Sequence, residues 1–444
     1  MRIAYLSPLP PKRTGIATYS THLLSALREI ADIHVVDPTL SLEMLISLNG
    51  CDASLYHLGN NPWYHLDIYK VLLRRPGIVV LHDTVLYYLI AGLGLGGMVK
   101  EFCLNYGLNR LGEFQQLLAS CPDGDVLRYP HPERFPFLRR TLEQAQAIIV
   151  HSHTAEKTVR ASGYRKLVRV INHLTYPSND ATLEPNELQG LRTGLGLGVH
   201  EIVIGCFGFG GATKRPIPLL RAVARLRRSY PLRVLIVGEG HDSRVEKEIS
   251  RLRIGETVIR LGFVADEDFA RYLALTDIVA NLRYPSMGEV SGTLIRAFAL
   301  GKPCVVTNDS WFSELPDTCV WKIRYGEGEV DDLVEALTTL ARDPALRRRL
   351  GKYAREYAEG RCAPRDIARH YLDVVQQVVQ AGDSSLATKG DLAPGEYFAL
   401  SNHGDDRDWV QRYLLARTLQ AIPHVDRIDS GSPSMRRTPP LPVR

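Results

Sequence analysis

The chain has 444 residues, of which 45% are hydrophobic and 23% are charged, and its formal net charge is +5. This composition is typical of a soluble globular protein with more than one domain. The charge is too small to indicate a nucleic acid as partner, but it suits an anionic small molecule or, at most, a peripheral contact with a membrane surface.

The seven cysteines are scattered and none lies in a CxxC pair. This is typical of a reduced cytosolic protein and not of a disulfide or zinc framework. Strand-forming residues begin two positions after the N-terminus, so we predict no signal peptide. No apolar run approaches the length of a transmembrane helix. We therefore expect a cytoplasmic protein that is at most peripheral to the inner face of the membrane.

The first half alternates short apolar runs with helical patterns, such as a helix from about Ile16 to Ile30. The runs are continuous, as in strands that are covered on both faces. The predicted strands are Arg2–Ser7, Asp32–Asp37, Ala53–Leu58, Gly77–His82, Ala147–His151 and Val168–Asn172. The alternation predicts a doubly wound, Rossmann-like parallel sheet over residues 1–185.

This alternation stops between Val85 and Arg140, where helices and loops are predicted. The start of the segment fits a mobile apolar flap, or a helical insertion packed on the sheet, which we favour. The polar, glycine-bearing segment from Ser178 to His200 predicts an interdomain linker.

The second half repeats the plan over residues 186–380. Its predicted strands are Glu201–Gly208, Leu232–Gly238, Val258–Val264, Asp277–Leu282, Pro303–Thr307 and Cys319–Ile323. Helical segments at 330–350 and 364–380 are expected to close this domain. Residues 381–444 form a partly disordered extension, with one helix predicted near Asp406–Ile422. Ligands bind beyond the carboxyl ends of strands in such sheets, so two facing sheets predict an interdomain cleft.

Three segments at these carboxyl ends carry chemistry. The first is a glycine-rich turn that ends in Lys214 and Arg215. Glycines let the backbone approach a ligand and the cations supply charge, which together favour a phosphate site, although paired cations at a helix start are often simply solvated. The turn lacks the Walker ending and the dinucleotide fingerprint. Glu239, after the next strand, could accept hydrogen bonds from a ligand or cap its turn.

The second segment is the loop from Arg283 to Gly292, which opens a helix predicted from Thr293 to Leu300. The N–H groups of a helix start favour an anion. The third comprises Gly15 in the first loop and His82 at the end of the fourth strand, where a histidine can donate a hydrogen bond or transfer a proton. We expect structural roles for the other histidines near strand ends: His151, His153 and His173.

Some signatures are missing from the sequence. There is no HExxH, no nucleophile elbow and no acidic cluster of metal-binding type. We therefore predict neither a metal site nor a cofactor.

In the order and spacing of these segments, residues 1 to about 380 resemble the retaining glycosyltransferases of family 4, which have the GT-B fold. The resemblance rests on six segments: Leu6–Pro8 with Thr14–Gly15, Leu81–Asp83, Phe207–Gly210 with Lys214–Arg215, Val237–Gly240, Leu261–Val264 and Met287–Pro303. It implies a nucleotide-diphosphate sugar as donor, bound mainly by the second domain, and a carbohydrate, lipid-linked or small-molecule acceptor.

The resemblance also implies roles for individual residues. Lys214 and Arg215 would meet the diphosphate, His82 would face the reacting sugar, and Glu289 would bind the sugar or assist. The leaving diphosphate would take the acceptor's proton, without a metal. The remaining residues implied in donor binding are Gly15, Gly210, Glu239, Gly288, Ser291, Gly292, Thr293 and Arg296.

Two positions depart from the family's pattern. The family has an arginine five residues before the lysine, where this chain has Phe209. It also has two glutamates, the second of which holds the nucleotide ribose. Here Arg296 takes the second position, and Glu289 lies one residue later than the first. An arginine in an early helical turn opposes the helix dipole, so we predict a local partner for Arg296, either Glu289 or a phosphate.

These departures leave two alternatives to a transferase. One is a non-catalytic sensor or scaffold that binds a nucleotide sugar. The other is a twin-sheet enzyme of different chemistry, such as a sugar-nucleotide epimerase, which would need clustered catalytic carboxylates and histidines that the sequence does not place together. The sequence does not specify the donor, the acceptor or the oligomeric state.

Overall fold

A computed structural model of the chain describes residues 1–38, 48–176, 184–208, 212–238 and 243–386. The predicted helix at Asp406–Ile422, together with most of the C-terminal extension, lies outside these residues. One compact unit holds Met1–Leu93 and the described residues from His131 onward, and it contains two six-stranded parallel sheets.

The first sheet has the strand order β2-β1-β3-β4-β5-β6. Its strands are β1 Arg2–Leu6, β2 Asp32–Val35, β3 Ala53–Leu58, β4 Gly77–Leu81, β5 Ala145–Val150 and β6 Leu167–Val170. The second sheet has the order β12-β11-β10-β7-β8-β9. Its strands are β7 Ile202–Phe207, β8 Leu232–Val237, β9 Val258–Leu261, β10 Ile278–Asn281, β11 Cys304–Thr307 and β12 Val320–Ile323.

All twelve predicted strands are confirmed, each with bounds within three residues of those expected. They are identifiable because their apolar runs are continuous, and most strand positions are buried from both faces. In each sheet, the side to which successive strands are added changes at an internal position. Such a change places a crevice at the carboxyl edge of the sheet.

Helices separate most of the strands along the chain. Those of the first half are α1 Gly15–Arg28, α2 Pro62–Leu72, α3 Tyr87–Ala91, α4 Gly94–Tyr106, α5 Leu111–Ala119, α6 Arg139–Gln144 and α7 His153–Ala161. Those of the second half are α8 Pro185–Gly194, α9 Pro216–Leu226, α10 Ser243–Leu252, α11 Asp266–Leu275, α12 Gly292–Ala299, α13 Ser310–Glu314, α14 Glu329–Arg342, α15 Pro344–Arg361 and α16 Pro364–Leu386. No helix among the described residues is long and apolar enough to cross a membrane.

The helical content predicted between Val85 and Arg140 is confirmed. Residues Gly94–Pro130 belong to a second compact unit. Within it, α4 and α5 pack through Phe102 and Phe114, whose ring centroids are 5.0 Å apart.

Three predicted segments differ in the structure. The predicted linker contains α8, which begins with Pro185 at its first helical position. The helical segment at 330–350 is two helices separated at Asp343, whose side chain caps α15 by accepting from the Leu346 N–H at 2.8 Å. The predicted boundary assigned the last helix to the second domain, whereas the buried residues of α16 pack in the core of the first.

The last described helix, α16, returns from the second sheet to the first domain. Its apolar face packs against α1 and the first sheet, with Ile367 and Val374 buried in that core. The hydroxyls of Tyr371 and Tyr19 are 2.8 Å apart. The chain therefore passes between the domains twice, and the passages adjoin: Thr175 N–H donates to the Cys362 carbonyl at 2.7 Å.

Candidate functional site

A cleft of about 620 Å³ lies between the carboxyl edges of the two sheets. Loops after β1, β4, β5 and β6 contribute to one wall, and loops after β7, β8, β9 and β10 contribute to the other. The walls meet where the Arg13 guanidinium lies 4.4 Å from the centroid of the Phe263 ring. The cleft is where ligands bind in doubly wound sheets.

The helices α12 and α1 begin at this cleft on opposite walls. Ser291 is the N-cap of α12, and its hydroxyl accepts from the Leu294 N–H at 3.3 Å. The N–H groups of Gly292 and Thr293 precede the first intrahelical hydrogen bond, and both residues line the cleft. On the opposite wall, α1 begins at Gly15, which also lines the cleft. Two positive helix ends thus favour an anion in the space between them.

Lys214 lies in the short 3-10 turn Ala212–Lys214, between β7 and α9. Its ammonium donates to the Phe207 carbonyl at 3.1 Å. Gly208 has a φ of +101°, and a Cβ there would overlap the Lys214 ammonium, so a glycine is required. Burial lowers the pKa of Lys214 well below its ordinary value, and the nearby Arg283 lowers that pKa further. An anion in the cleft would stabilise the charged form.

Arg215 was expected beside Lys214 but does not line the cleft. Its backbone is left-handed, with a φ of +51°, at the cap of α9. Its guanidinium forms a two-point ion pair with Glu329 on α14, with Nε to Oε1 at 2.5 Å. Glu329 is only 2% exposed. A buried carboxylate thus holds the Arg215 side chain away from the cleft in this structure, and its contact with a donor stays a prediction.

Arg283 lines the cleft, and sequence reasoning missed it. It lies two residues after the end of β10, and its backbone N–H donates to the Thr307 hydroxyl at 3.1 Å. Its side chain is 12% exposed, and its Nε lies 3.5 Å from the Glu289 Oε1. The signal was available, because a charged residue just after a buried strand is placed at the ligand edge in the same way as His82.

Glu289 also lines the cleft, and it braces the loop that carries it. Its Oε2 accepts from the Met287 N–H at 2.6 Å and from the Ser286 hydroxyl at 3.1 Å. Its Oε1 faces Arg283. The carboxylate is therefore held in one orientation at the cleft.

Gly288 was expected to meet the donor, but it faces the first domain instead. The carbonyl of Met287 accepts from the N–H groups of Thr84, at 2.8 Å, and Val85, at 3.0 Å. We call this pair of hydrogen bonds the interdomain clasp. Gly288 has a φ of +86°, and a Cβ there would overlap the Thr84 hydroxyl and lie 2.9 Å from the Thr84 Cβ. The glycine lets the two domains approach.

Five buried histidines lie under the first wall: His57, His65, His82, His151 and His173. We call them the histidine cluster. Its ring contacts centre on Tyr19. The Nε2 of His82 is 3.0 Å from the Nδ1 of His57, so one of its ring nitrogens is used inside the protein. His82 still lines the cleft with its ring.

The other cluster members are held by backbone carbonyls. The Nδ1 atoms of His151 and His173 donate to the carbonyls of Ile171, at 2.8 Å, and Leu174, at 2.9 Å. The structural role expected for these two agrees with those bonds, although both also line the cleft. His153 is exposed at the start of α7.

The histidines of the cluster are neutral at pH 7. Burial lowers the pKa of His65 and of His151 to about 4, and that of His173 to about 3. Burial, followed by the neighbouring histidines, lowers the pKa of His82 well below its ordinary value. His82 can therefore offer neutral imidazole to a ligand and is a poor source of positive charge.

Asp83 follows His82 and lines the cleft. Its Oδ2 accepts from the Asn60 N–H at 2.7 Å. Burial raises its pKa to about 7, and the nearby Glu289 carboxylate contributes to the rise. Asp83 can thus both donate and accept a proton near neutral pH.

Arg296 lines the cleft from α12, and its predicted local partner is Asp266 rather than Glu289. Its Nη2 donates to the Asp266 Oδ2 at 2.7 Å. Its guanidinium carbon lies 5.0 Å from the Tyr176 ring centroid and 4.7 Å from that of Phe269. The ion pair and the two rings hold Arg296 at the cleft, with Asp266 beside it.

Three residues discussed from sequence, Phe209, Gly210 and Glu239, lie outside the described residues. Within the described segments, no group of three or more histidine, cysteine or carboxylate side chains could hold a metal ion. The site therefore consists of cations, helix starts, carboxylates and neutral histidines around one cleft.

Parts of the chain are similar to known proteins. Residues 193–357 match the family model described as "Glycosyl transferases group 1". The chain is 29% identical over 201 residues to a D-inositol 3-phosphate glycosyltransferase of Corynebacterium kroppenstedtii. That match covers 43% of this chain and 44% of the relative, so it spans less than half the length of either protein.

Solved structures resemble a larger part of the chain. Anabaena HepE, in complex with UDP and glucose, has a TM-score of 0.61 at 18% identity and covers 85% of this chain and 100% of its own. Sucrose-phosphate synthase of Thermosynechococcus elongatus has a TM-score of 0.60 at 18% identity, over 86% of this chain and 100% of its own.

WaaG, a glycosyltransferase involved in lipopolysaccharide biosynthesis, has a TM-score of 0.56 at 16% identity, over 82% of this chain and 98% of its own. At these identities the likeness establishes the fold alone, which is the predicted GT-B architecture of two Rossmann-like domains. Residues 193–357, which carry Lys214 and the start of α12, match the group 1 glycosyl transferases within a chain of GT-B fold.

Proposed function

We propose that the protein is a retaining, metal-independent glycosyltransferase of family 4 that moves a sugar from a nucleotide-diphosphate donor to an acceptor hydroxyl. The observation that carries this proposal is the position of Lys214 and the start of α12 on one cleft, within the segment that matches the group 1 glycosyl transferases. A cation and a helix start together favour a diphosphate.

The names of the similar proteins support the class of ligand. HepE was solved with UDP and with UDP-glucose, and the partial relative from Corynebacterium is named a glycosyltransferase. A nucleoside diphosphate linked to a sugar is therefore the ligand we propose for this cleft. The acceptor is a hydroxyl of a carbohydrate, a lipid-linked carbohydrate or a small molecule that approaches from the first domain.

In the proposed reaction, the bond between the anomeric carbon and the diphosphate oxygen breaks, and the acceptor oxygen bonds to the same face of that carbon. The departing diphosphate takes the acceptor's proton. Lys214 and the N–H groups of Gly292 and Thr293 stabilise the negative charge that develops on the leaving group. His82 would orient the sugar as a neutral ring, and Glu289 would accept hydrogen bonds from its hydroxyls.

The first test is a thermal-shift panel with UDP, GDP, ADP and TDP and their sugars, with and without EDTA. A ligand at about a hundredfold its Kd should stabilise the folded state by roughly 2.7 kcal/mol. We expect one nucleotide to raise the melting temperature equally with and without EDTA. If none does, the proposed function is wrong; if EDTA abolishes the shift, the metal-independent part is wrong.

The second test is turnover, followed as nucleoside diphosphate released from the donor in the presence of candidate acceptors, with the anomeric configuration of the product read by NMR. Lys214→Ala should abolish release while leaving the far-UV spectrum unchanged. Lys157→Ala, on the exposed surface of α7, removes the same charge outside the cleft and should keep wild-type turnover. Unchanged turnover in Lys214→Ala would remove Lys214 from the mechanism.

A nucleotide-sugar sensor is the second candidate, and Arg296 at the position of the family's ribose-binding glutamate favours it. A sensor would bind the donor in the thermal-shift panel but would release no diphosphate, either to water or to an acceptor. Turnover that depends on Lys214 would contradict this candidate.

A further inference from the structure

Arg283 is a buried cation whose charge is only partly compensated. Its side chain is 12% exposed, and its Nε is buried without a hydrogen-bond partner among the described residues. Glu289 approaches that nitrogen at 3.5 Å, which is longer than a hydrogen bond between charged groups. The same carboxylate also accepts from Met287 and Ser286. A buried guanidinium in this state is costly unless another anion completes its shell.

Arg283 is close enough to Lys214 to affect the charge of the lysine. The pKa of Lys214 is lowered first by burial and then by Arg283. Both side chains line the same cleft, and the Glu289 carboxylate lies near both. Asp83, the other carboxyl group near Arg283, has its pKa raised to about 7 and so carries only part of a negative charge at neutral pH. The cleft therefore presents two neighbouring basic groups, whose charged forms an anion bound between them would stabilise.

The backbone holds Arg283 in this position. Its N–H donates to the Thr307 hydroxyl at the end of β11, which ties the residue after β10 to the neighbouring strand. A guanidinium on such a fixed backbone can bind two oxygens of a phosphate at once. Arg215, the other candidate, is committed to Glu329 and does not line the cleft, and position 209 is a phenylalanine.

We propose that Arg283 is a diphosphate-binding residue of this cleft and supplies, from the loop after β10, the second cation that the glycine-rich turn after β7 lacks. This inference rests on the proposed function, because it assumes a nucleoside diphosphate as ligand. Arg283 then has two anionic partners, the diphosphate and Glu289, and it couples the position of the Glu289 carboxylate to the presence of the donor.

The test compares pairs of nucleotides that differ by one phosphate: UDP with UMP, GDP with GMP, and ADP with AMP. Binding is measured by calorimetry for the full chain, for Arg283→Gln and for the control Arg271→Gln. Arg271 lies on α11, is not among the cleft residues and makes a surface contact with Asp268, so the control loses the same charge at another place.

In the wild type we expect one diphosphate to bind more tightly than its monophosphate. Arg283→Gln should weaken that diphosphate by roughly 10- to 100-fold and the monophosphate much less, because a lost bond to a charged group is worth about one to two decades of affinity. Arg283→Lys should recover part of the loss. Arg271→Gln should keep the wild-type ratio.

The outcomes separate this inference from the proposed function. If the wild type binds no nucleoside diphosphate, the proposed function and this inference both fail. If the wild type binds one, and Arg283→Gln weakens diphosphate and monophosphate by the same factor, Arg283 only braces Glu289 and the inference alone is overturned. A ratio that collapses in Arg283→Gln and not in Arg271→Gln supports it.

Discussion

The interdomain clasp can be tested through Gly288. An alanine there must hold a left-handed φ of +86°, which costs about 1–2 kcal/mol, and its Cβ overlaps the Thr84 hydroxyl. Moving the loop away sacrifices two backbone hydrogen bonds from Thr84 and Val85 to the Met287 carbonyl, each worth about 0.5–1.5 kcal/mol. We therefore expect Gly288→Ala to destabilise the closed arrangement of the two domains by about 2–4 kcal/mol.

If the reaction requires closure, kcat/KM for donor turnover should fall by roughly 30- to 1,000-fold, since each 1.4 kcal/mol is a factor of ten. Gly326→Ala is a matched control. Gly326 has a φ of +81°, but a Cβ there would meet nothing within 4 Å, and the residue does not line the cleft. Gly326→Ala therefore has a similarly unfavourable backbone conformation, but its new methyl group overlaps no neighbouring atom.

A second variant identifies the cause of the effect. Gly288→Ala combined with Thr84→Gly removes the side chain that the new methyl group meets, so the double variant should recover part of the lost turnover. Thermal unfolding should be similar for Gly288→Ala and Gly326→Ala, because the clasp closes the cleft and is not part of either core. Equal turnover in those two single variants would refute the reasoning.

Three further predictions follow from other groups. Arg215→Met should destabilise the fold by about 3 kcal/mol or more, because it leaves the buried Glu329 charge unpaired. The double variant Arg215→Met with Glu329→Leu should recover most of that lost stability in urea unfolding, and it should leave nucleotide affinity unchanged. Asp266→Asn should weaken the binding of a ribonucleotide roughly tenfold more than that of its 2′,3′-dideoxy analogue, because Asp266 places a carboxylate at the cleft beside the position where the family has one. The control Glu267→Gln, in the same helical turn, should not change the two affinities differently. Equal losses of both ligands in Asp266→Asn would argue against a ribose contact. The pKa values of the histidine cluster lie below about 6.5 in the folded state, so the unfolded chain takes up protons first as the pH falls. The free energy of unfolding should therefore decrease between about pH 6.5 and 4, by up to about 1.4 kcal/mol per pH unit for each histidine. Asp83, whose pKa is raised to about 7, opposes this decrease, so Asp83→Asn should make it steeper, and a flat profile would contradict the assignment.

The fold was predictable because parallel strands covered on both faces leave an unmistakable sequence pattern. Continuous apolar runs marked all twelve strands, and Lys214, Gly15 and the start of α12 lie at the cleft because they follow predicted strand ends. In such a fold the position of a loop residue is set by the strand that precedes it, and that strand can be recognised from the local sequence. The ligand edge therefore follows from the sequence with little else known.

The direction of a side chain is a different matter, since it depends on partners that are distant in sequence. Arg215 turns away because Glu329, 114 residues later, is buried within its reach. Gly288 meets Thr84 across the cleft, and no local pattern of the loop indicates it. Arg296 pairs with Asp266 from another helix. The sequence predicted that Arg296 would have a partner, but only the tertiary structure identifies it.

The return of α16 to the first sheet has a consequence for synthesis on the ribosome. Domains of a nascent chain generally fold in order as they emerge. Here the core around Tyr19 is completed only by Tyr371 and its helical neighbours, which are made near the end of the described chain. One apolar face of the amino-terminal sheet therefore stays incompletely covered until the carboxyl-terminal sheet and α16 have been synthesised. A fragment that ends at residue 185 should accordingly aggregate, whereas a chain that extends through α16 should not.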